Sequence, residues 1–99
     1  MTLREFQQLI ERLYLDKDRA RGVERTFLWF TEEVGELAEA IRHGDRAGLE
    51  AEFADVLAWL STLASLTGVD LERVAAAKYA AGCPKCGKTP CNCSEGGAT

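Results

Sequence analysis

The sequence predicts an all-α domain built as an antiparallel bundle of four helices. Apolar residues recur at intervals of three and four along roughly the first 80 residues, and no stretch alternates apolar and polar residues for long enough to indicate a strand. Glycines and short polar side chains separate the apolar stripes, as is typical of helix caps and tight connections. Because short connections join antiparallel neighbours, these observations together favour a bundle.

Each helix is expected from signals at its ends. Thr2 and Glu5 form a capping box before the first helix, and the polar segment 16–22 after it is expected to be a loop. Asp45 and Asp70 precede the third and fourth helices, where their carboxylates can accept hydrogen bonds from the first backbone N–H groups. The expected helices cover about residues 3–14, 23–43, 46–67 and 71–81.

Three regions are expected along the chain of 99 residues. They are a helical domain, a cysteine-rich metal-binding knuckle and a disordered polar tail, at residues 1–81, 82–93 and 94–99. A domain of about 80 residues is near the size at which many need a metal or a partner chain. Much of the circumference of the third helix is apolar, so we expect a homo-oligomer, either a dimer or a tetramer. This expectation rests on Phe53, Val56, Leu57, Trp59, Leu60, Leu63 and Leu66.

The composition argues against two classes of partner. The formal net charge is −4 and no basic stripe is present, so nucleic acid is not an expected partner. The longest apolar run, 53–69, contains Asp55 and is too short and too polar to span a bilayer, which argues against membrane insertion. Charged residues interrupt the first twenty positions, so no secretory signal is expected and the chain is predicted to be cytoplasmic.

Four acids lie beside the apolar stripes of the second and third helices. Glu33 and Glu36 share one flank of the second helix, and Glu52 and Asp55 have the same three-residue spacing on the third. Antiparallel packing would bring the two pairs together across a groove, where mutual repulsion favours protonation unless a cation neutralises the charge. Magnesium or manganese prefers such oxygen ligands. The alternative is that these acids are the solvated faces of amphipathic helices.

The residues around these acids resemble a known family. The segments EEVGELAEAI, EFADVLAWL and GVDLERVAAAK follow one another within residues 23–78, and the acids fit the pattern E-E-x-x-E…E-x-x-D. In these features the chain resembles the MazG-like all-α nucleoside triphosphate pyrophosphohydrolases. The resemblance implies a magnesium-dependent enzyme that hydrolyses a nucleoside triphosphate to the monophosphate and pyrophosphate. It also implies four metal ligands, Glu33, Glu36, Glu52 and Asp55.

The same resemblance assigns two further residues to the catalytic machinery. Glu32 matches an additional acid of the family, which would hold a further ion or orient the attacking water. Lys78 matches a basic position in the last helix that faces the phosphates, and the alternative is an ordinary surface lysine. Many members of the family carry an asparagine one turn after this lysine, whereas this chain has Gly82.

Two tryptophans and the single histidine are candidates for contact with the nucleoside. Trp29 lies one turn before Glu33 and Trp59 lies one turn after Asp55, so antiparallel packing would bring both indoles to the same end of the metal site. A nucleobase offers a flat face on which an indole can stack. The alternative is that both indoles pack into the core or a subunit interface. His43, two turns beyond the acidic pair, is a further candidate for the base or sugar.

The end of the chain holds four cysteines in the pattern C-x2-C-x4-C-x-C. In a compartment where disulfides are scarce, four thiols this close more often bind zinc tetrahedrally than form bridges. A redox or iron–sulfur role is the alternative. The expected ligands of this structural zinc are Cys83, Cys86, Cys91 and Cys93.

Two classes of function follow from these features. A nucleotide pyrophosphohydrolase is favoured, because it explains all four acids together. A non-catalytic helical interaction module with a zinc knuckle explains only the cysteines. A pyrophosphohydrolase acting on phosphoribosyl-ATP would share the architecture and the chemistry, and would differ only in its substrate.

Overall fold

The computed structural model describes residues 1–94 as helices and connecting turns. No residue in this part of the chain lies in a β-strand, which confirms the predicted all-α fold. The predicted disorder at 94–99 falls, from residue 95 onward, outside the described residues. The helices are α1 Leu3–Arg21, α2 Val23–His43, α3 Arg46–Leu66 and α4 Leu71–Tyr79.

α1 is longer than the sequence predicts, and the predicted loop at 16–22 is wrong. The helix continues to Arg21, and Gly22 alone connects it to α2, with a φ of 86° that favours glycine. Asp18 is 4% exposed, and its carboxylate accepts hydrogen bonds from Arg21 Nη1 at 3.0 Å and Thr62 Oγ1 at 3.1 Å. The helix therefore buries a charged residue, which interrupts the apolar periodicity before the helix itself ends.

α2 and α3 form an antiparallel hairpin that carries the acidic residues. Gly44 ends α2 in the left-handed conformation, with a φ of 70°. The carboxylate of Asp45 accepts a hydrogen bond from the backbone N–H of Gly48 at 3.2 Å, which caps α3 as predicted. These two helices make the most extensive helix–helix contact in the described part of the chain. The hairpin is therefore the main support of any site between them.

α1 packs across α3 and holds the turn that leads into α4. Gln7 is buried in this contact, and its Nε2 donates hydrogen bonds to Ser65 Oγ at 3.1 Å and to the carbonyl of Val69 at 2.8 Å. Its Oε1 accepts a hydrogen bond from the backbone N–H of Leu71 at 3.0 Å. One buried amide thus joins three helices and satisfies backbone groups at the α3–α4 turn.

The apolar core of the single chain is small. Among the described residues, the buried apolar side chains are Ile10 and Ala64, each 6% exposed. A monomer of this mass exposes about 5,600 Å² on average, whereas this chain exposes 7069 Å². No described helix is long and apolar enough to cross a bilayer. Large apolar side chains at the surface of α2 and α3 are Val23, Phe27, Leu28, Trp29, Val34, Ile41, Phe53, Leu57 and Leu60.

Candidate functional site

Three carboxylates meet between α2 and α3. Oxygen atoms of Glu33, Glu36 and Glu52 lie within 4.8 Å of one another, which is close enough for one ion to reach all three. The buried Oε2 atoms of Glu33 and Glu52 have no hydrogen-bond partner among the described residues. Because buried polar atoms in native proteins are nearly always paired, these two oxygens point to a ligand that lies outside the polypeptide.

The environment of Glu33 opposes its ionisation. Burial raises the pKa of Glu33 to about 7. The Glu52 carboxyl, with which a protonated Glu33 can share a hydrogen bond, and the charges of Glu36, Glu52 and Asp55 act in the same direction. A carboxyl group of ordinary pKa would be ionised at neutral pH, so this cluster holds more acids than it can ionise unaided. A divalent cation would remove that conflict.

Asp55 and Glu32 are neighbours of this cluster, but they are not among the three clustered residues, Glu33, Glu36 and Glu52. Asp55 is exposed and lies close enough to raise the pKa of Glu33, and it also lines a neighbouring cavity. Glu32 is exposed on α2, next to Glu33 in the chain. The roles that the family resemblance gives to both acids stay predictions.

The two tryptophans meet as antiparallel packing predicts. The rings of Trp29 on α2 and Trp59 on α3 are nearly parallel, at 16°, with centroids 6.3 Å apart. The guanidinium carbon of Arg21 lies 4.9 Å from the ring centroid of Trp59, so α1 supplies a cation–π contact to the pair. Trp29 is about half exposed, which leaves part of its ring open to a ligand.

A cavity of about 360 Å³ lies between α1 and α3, next to the indole pair. Its polar lining includes Lys17, the buried Asp18 and the partly buried Arg21, which lie in the segment predicted as a loop and so were not among the predicted site residues. A signal was present, because an acid and an arginine three residues apart are a common stabilising pair on a helix. The principal residues that line the cavity are Tyr14, Lys17, Asp18, Arg21, Asp55 and Trp59.

His43 and Lys78 each contact a residue of their own helix. His43 Nε2 lies 3.0 Å from an oxygen of Glu39, and both side chains are exposed. The Lys78 ammonium lies 5.4 Å from the ring centroid of Tyr79. α4, which carries Lys78, packs on α1. Substrate contact by either residue therefore stays a prediction.

The four cysteines form a second candidate metal site after α4. The Sγ atoms of Cys83, Cys86, Cys91 and Cys93 all lie within 4.8 Å of one another. The backbone N–H groups of Cys86 and Lys85 lower the pKa of the Cys83 thiol to about 6, whereas the thiols of Cys91 and Cys83 raise the pKa of Cys93 to about 12. Four thiolates this close would repel one another, so the geometry of the cluster is compatible with a bound cation.

The comparisons with known proteins identify the family. A comparison with curated proteins found no match. A family model described as the MazG nucleotide pyrophosphohydrolase domain matches residues 21–87. This match covers two-thirds of the 99 residues, including the acidic cluster, the indole pair and the first two cysteines. The chain therefore belongs to the MazG nucleotide pyrophosphohydrolase domain family.

Proposed function

We propose that this chain is a magnesium-dependent nucleoside triphosphate pyrophosphohydrolase. It would hydrolyse a ribo- or deoxyribonucleoside triphosphate to the monophosphate and pyrophosphate. The observation that carries the proposal is the acidic cluster, in which the buried Oε2 atoms of Glu33 and Glu52 have no partner among the described residues. Membership of the MazG family supports the substrate class.

The chemistry of the donor set fits a hard divalent cation. The cluster offers only carboxylate oxygens, which magnesium and manganese prefer to nitrogen or sulfur ligands. Glu33, Glu36 and Glu52 would hold the ion, and Asp55 would complete the set. When bound, the ion would offset the charge of the triphosphate and lower the pKa of a coordinated water.

The side chains of the cluster would release or hold protons when the metal ion binds and when the water attacks the substrate. Glu33, whose pKa is about 7, would release its proton when the cation binds, because only the carboxylate form is a good ligand. Glu32, next to it in the chain and exposed, would orient the attacking water. Lys78 would add positive charge beside the phosphates, which requires it to leave the ring of Tyr79.

The cavity between α1 and α3 offers a place for the nucleoside. Asp55 and Trp59 both line it, so a nucleoside bound there would direct its phosphates towards the acids and its base towards the indoles. Lys17 adds a positive charge to the same cavity, whereas the charge of Arg21 is offset there by its partner Asp18. The ammonium group of Lys17 would favour an anionic ligand at an otherwise acidic surface.

We also propose that the chain works as a homo-oligomer. Apolar side chains of α2 and α3 are exposed in the single chain, and among them Phe27, Val34 and Ile41 recur every seven residues on one face of α2. Such a stripe is typical of a helix that packs against another surface. A second copy of the chain would cover it and would shield the neighbouring acids from water.

A panel of ribo- and deoxyribonucleoside triphosphates, with phosphoribosyl-ATP included, would test this function. We expect the purified full chain to release pyrophosphate from at least one of them in magnesium, and not when magnesium is omitted. In water labelled with heavy oxygen the label should enter the monophosphate, because attack at the α-phosphorus leaves pyrophosphate as the departing group. Orthophosphate as the first product, or no turnover by protein that binds magnesium, would contradict the proposal.

A further inference from the structure

The segment after α4 has little to hold it in place except its four cysteines. Within residues 82–94 there is no helix or strand, and most side chains are exposed. Its internal backbone–backbone hydrogen bonds run from Gly87 N–H to the Cys83 carbonyl at 2.7 Å and from Cys83 N–H to the Lys88 carbonyl at 3.1 Å. A short segment with no apolar core generally needs a cross-link or a metal to fold.

The sulfur positions fit one tetrahedral ion. Sγ of Cys83 lies 3.7 Å from Sγ of Cys93, and Sγ of Cys86 lies 4.0 Å from Sγ of Cys91. Four sulfurs placed about 2.3 Å from a central zinc are separated by about 3.8 Å along each edge of the tetrahedron. A disulfide would bring two of these atoms to about 2 Å. The observed distances therefore match a shared ion and not a pair of bridges.

Backbone N–H groups also point at the sulfurs, as expected for thiolates. The N–H of Asn92 donates to Sγ of Cys86 at 3.2 Å, and the N–H of Cys93 donates to Sγ of Cys91 at 3.3 Å. Hydrogen bonds of this kind spread the negative charge of a tetrathiolate centre and orient its ligands. Neutral thiols would gain much less from them.

Gly82 allows the two halves of the segment to close on each other. Its φ is 110°, and a Cβ atom built there would lie 2.9 Å from Thr89 Oγ1 and 3.1 Å and 3.2 Å from the carbonyl oxygens of Gly87 and Lys88. Any other residue would be strained and would push the returning chain away. The close approach at Gly82 brings Cys83 opposite the second pair of cysteines.

We infer that Cys83, Cys86, Cys91 and Cys93 bind one structural zinc ion, which fixes residues 82–93 against the end of α4. The geometry favours a single ion, since an iron–sulfur cluster would need room for bridging sulfides among four sulfurs that all lie within 4.8 Å. Zinc has no redox chemistry and takes four thiolates in closed structural sites. The site is separate from the acidic cluster, which offers oxygen ligands only.

Metal analysis of the full chain, purified without chelator and with no metal added, tests the inference. We expect about one zinc per chain, and X-ray absorption at the zinc edge should give a single shell of four sulfurs at about 2.3 Å. Iron in place of zinc, or zinc with fewer than four sulfurs, would overturn the assignment. So would disulfides, detected as a loss of two hydrogens per bridge in the intact mass of freshly purified protein.

Two substitutions and one control assign the ligands and the role of Gly82. Cys86→Ser should lower zinc affinity by at least about 100-fold, and Gly82→Ala should lower it by a smaller factor while keeping four sulfur ligands. Ser94→Ala, one residue beyond the last ligand, should bind zinc like the wild type. Glu36→Gln should also keep its zinc, which separates this site from the proposed function. Wild-type zinc affinity in Cys86→Ser would contradict the inference.

Discussion

Asp18 shows how a single residue links α1 to the candidate nucleoside cavity. Its buried carboxylate accepts from Arg21 Nη1 and from Thr62 Oγ1, and Arg21 in turn lies over the ring of Trp59. The arginine side chain is only partly buried, at 22% exposed. The pair therefore positions an aromatic face, and it does so at less desolvation cost than a fully buried ion pair.

Removal of the Asp18 carboxylate should destabilise the protein and free the indole pair. We expect Asp18→Ala to lower the free energy of unfolding by about 2–3 kcal/mol, because it leaves Arg21 and Thr62 without their buried acceptor. Urea denaturation at one fixed protein concentration measures this, and tryptophan fluorescence reports the change at Trp59. Asp16→Ala, at an exposed position on the same helix, is the control and should change stability by less than about 0.5 kcal/mol. Equal stability of the two variants would rule out this role of Asp18.

At the acidic cluster we expect the charge of each side chain to matter more than its size. Replacing Glu36 with Gln, or Asp55 with Asn, keeps the shape and removes one negative charge. We expect turnover in magnesium to fall by at least about 100-fold, because the bound ion loses a ligand. Without magnesium the same variants should be more stable than the wild type, since repulsion around Glu33 is reduced.

Glu50→Gln provides the matched control for these variants. Glu50 lies on α3 two residues before Glu52, and it is exposed and paired with Arg46 at 2.9 Å. Its loss should cost only about 0.3–0.5 kcal/mol of stability and should leave turnover near that of the wild type. If all three variants kept wild-type turnover, the acidic cluster would not be the catalytic site.

Among the helices, the ends marked by clear caps were predicted well, including the Thr2–Glu5 capping box of α1, whereas the C-terminal end of α1 was not. Gly44 and Asp45 fix the α2–α3 turn, and the resulting register brings together Glu33, Glu36 and Glu52. The meeting of the two indoles follows from the same register. α1 was cut short because its last turns carry polar residues, one of which, Asp18, is buried by tertiary contacts that a local pattern does not contain.

That error about α1 hid part of the candidate site. The cavity beside the indoles depends on Tyr14, Lys17 and Arg21, which share a helical face only if the helix continues beyond the predicted end. The acids of α2 and α3 could be predicted because both partners lie on flanks of strong apolar stripes. A site formed between a polar helix end and a distant helix has no such periodic signal.

The α2–α3 hairpin should be less stable at higher pH when magnesium is absent. The pKa of Glu33 is raised from 4.5 to about 7 in the folded protein, so the folded state binds this proton more tightly than the unfolded chain does. Stability from Glu33 is therefore fully present below about pH 4.5 and is lost as the pH rises through about 7. By contrast, the pKa values of Glu5 and Asp70 are lowered, so both are already ionised over this range.

Thermal unfolding between about pH 5 and pH 8, in magnesium-free buffer without chelator, measures this effect. The melting temperature of the wild type should fall relative to that of Glu33→Gln as the pH rises. Magnesium should raise the wild-type melting temperature most at the upper end of the pH range, where Glu33 is deprotonated and no proton competes with the ion for its carboxylate. Parallel pH curves for the two proteins would show that Glu33 has an ordinary pKa.

For the whole molecule, surface area and size are in keeping with the proposal that the chain works with a second copy of itself. Its radius of gyration is 15.8 Å, whereas a compact chain of this length has about 13 Å. The excess surface includes Phe53, Leu57 and Leu60 of α3 beside Phe27 and Ile41 of α2. Several large apolar side chains exposed on two neighbouring helices are typical of an interface between subunits.

The chain should therefore be a dimer or a tetramer at micromolar concentration, and apolar contacts of α2 should hold it together. Sedimentation equilibrium of the wild type should give a multiple of the 10.9 kDa chain mass. Phe27 and Ile41 are 52% and 58% exposed in the single chain, so a charge at either position should be tolerated by the fold. In the oligomer the same charge would be buried, and we expect Phe27→Glu and Ile41→Glu each to raise the dissociation constant by at least about 100-fold. Arg42→Ala, beside Ile41 on a different face, should leave the association state unchanged. A compact monomer for the wild type, or variants that associate as the wild type does, would mean that the apolar face of α2 does not join subunits.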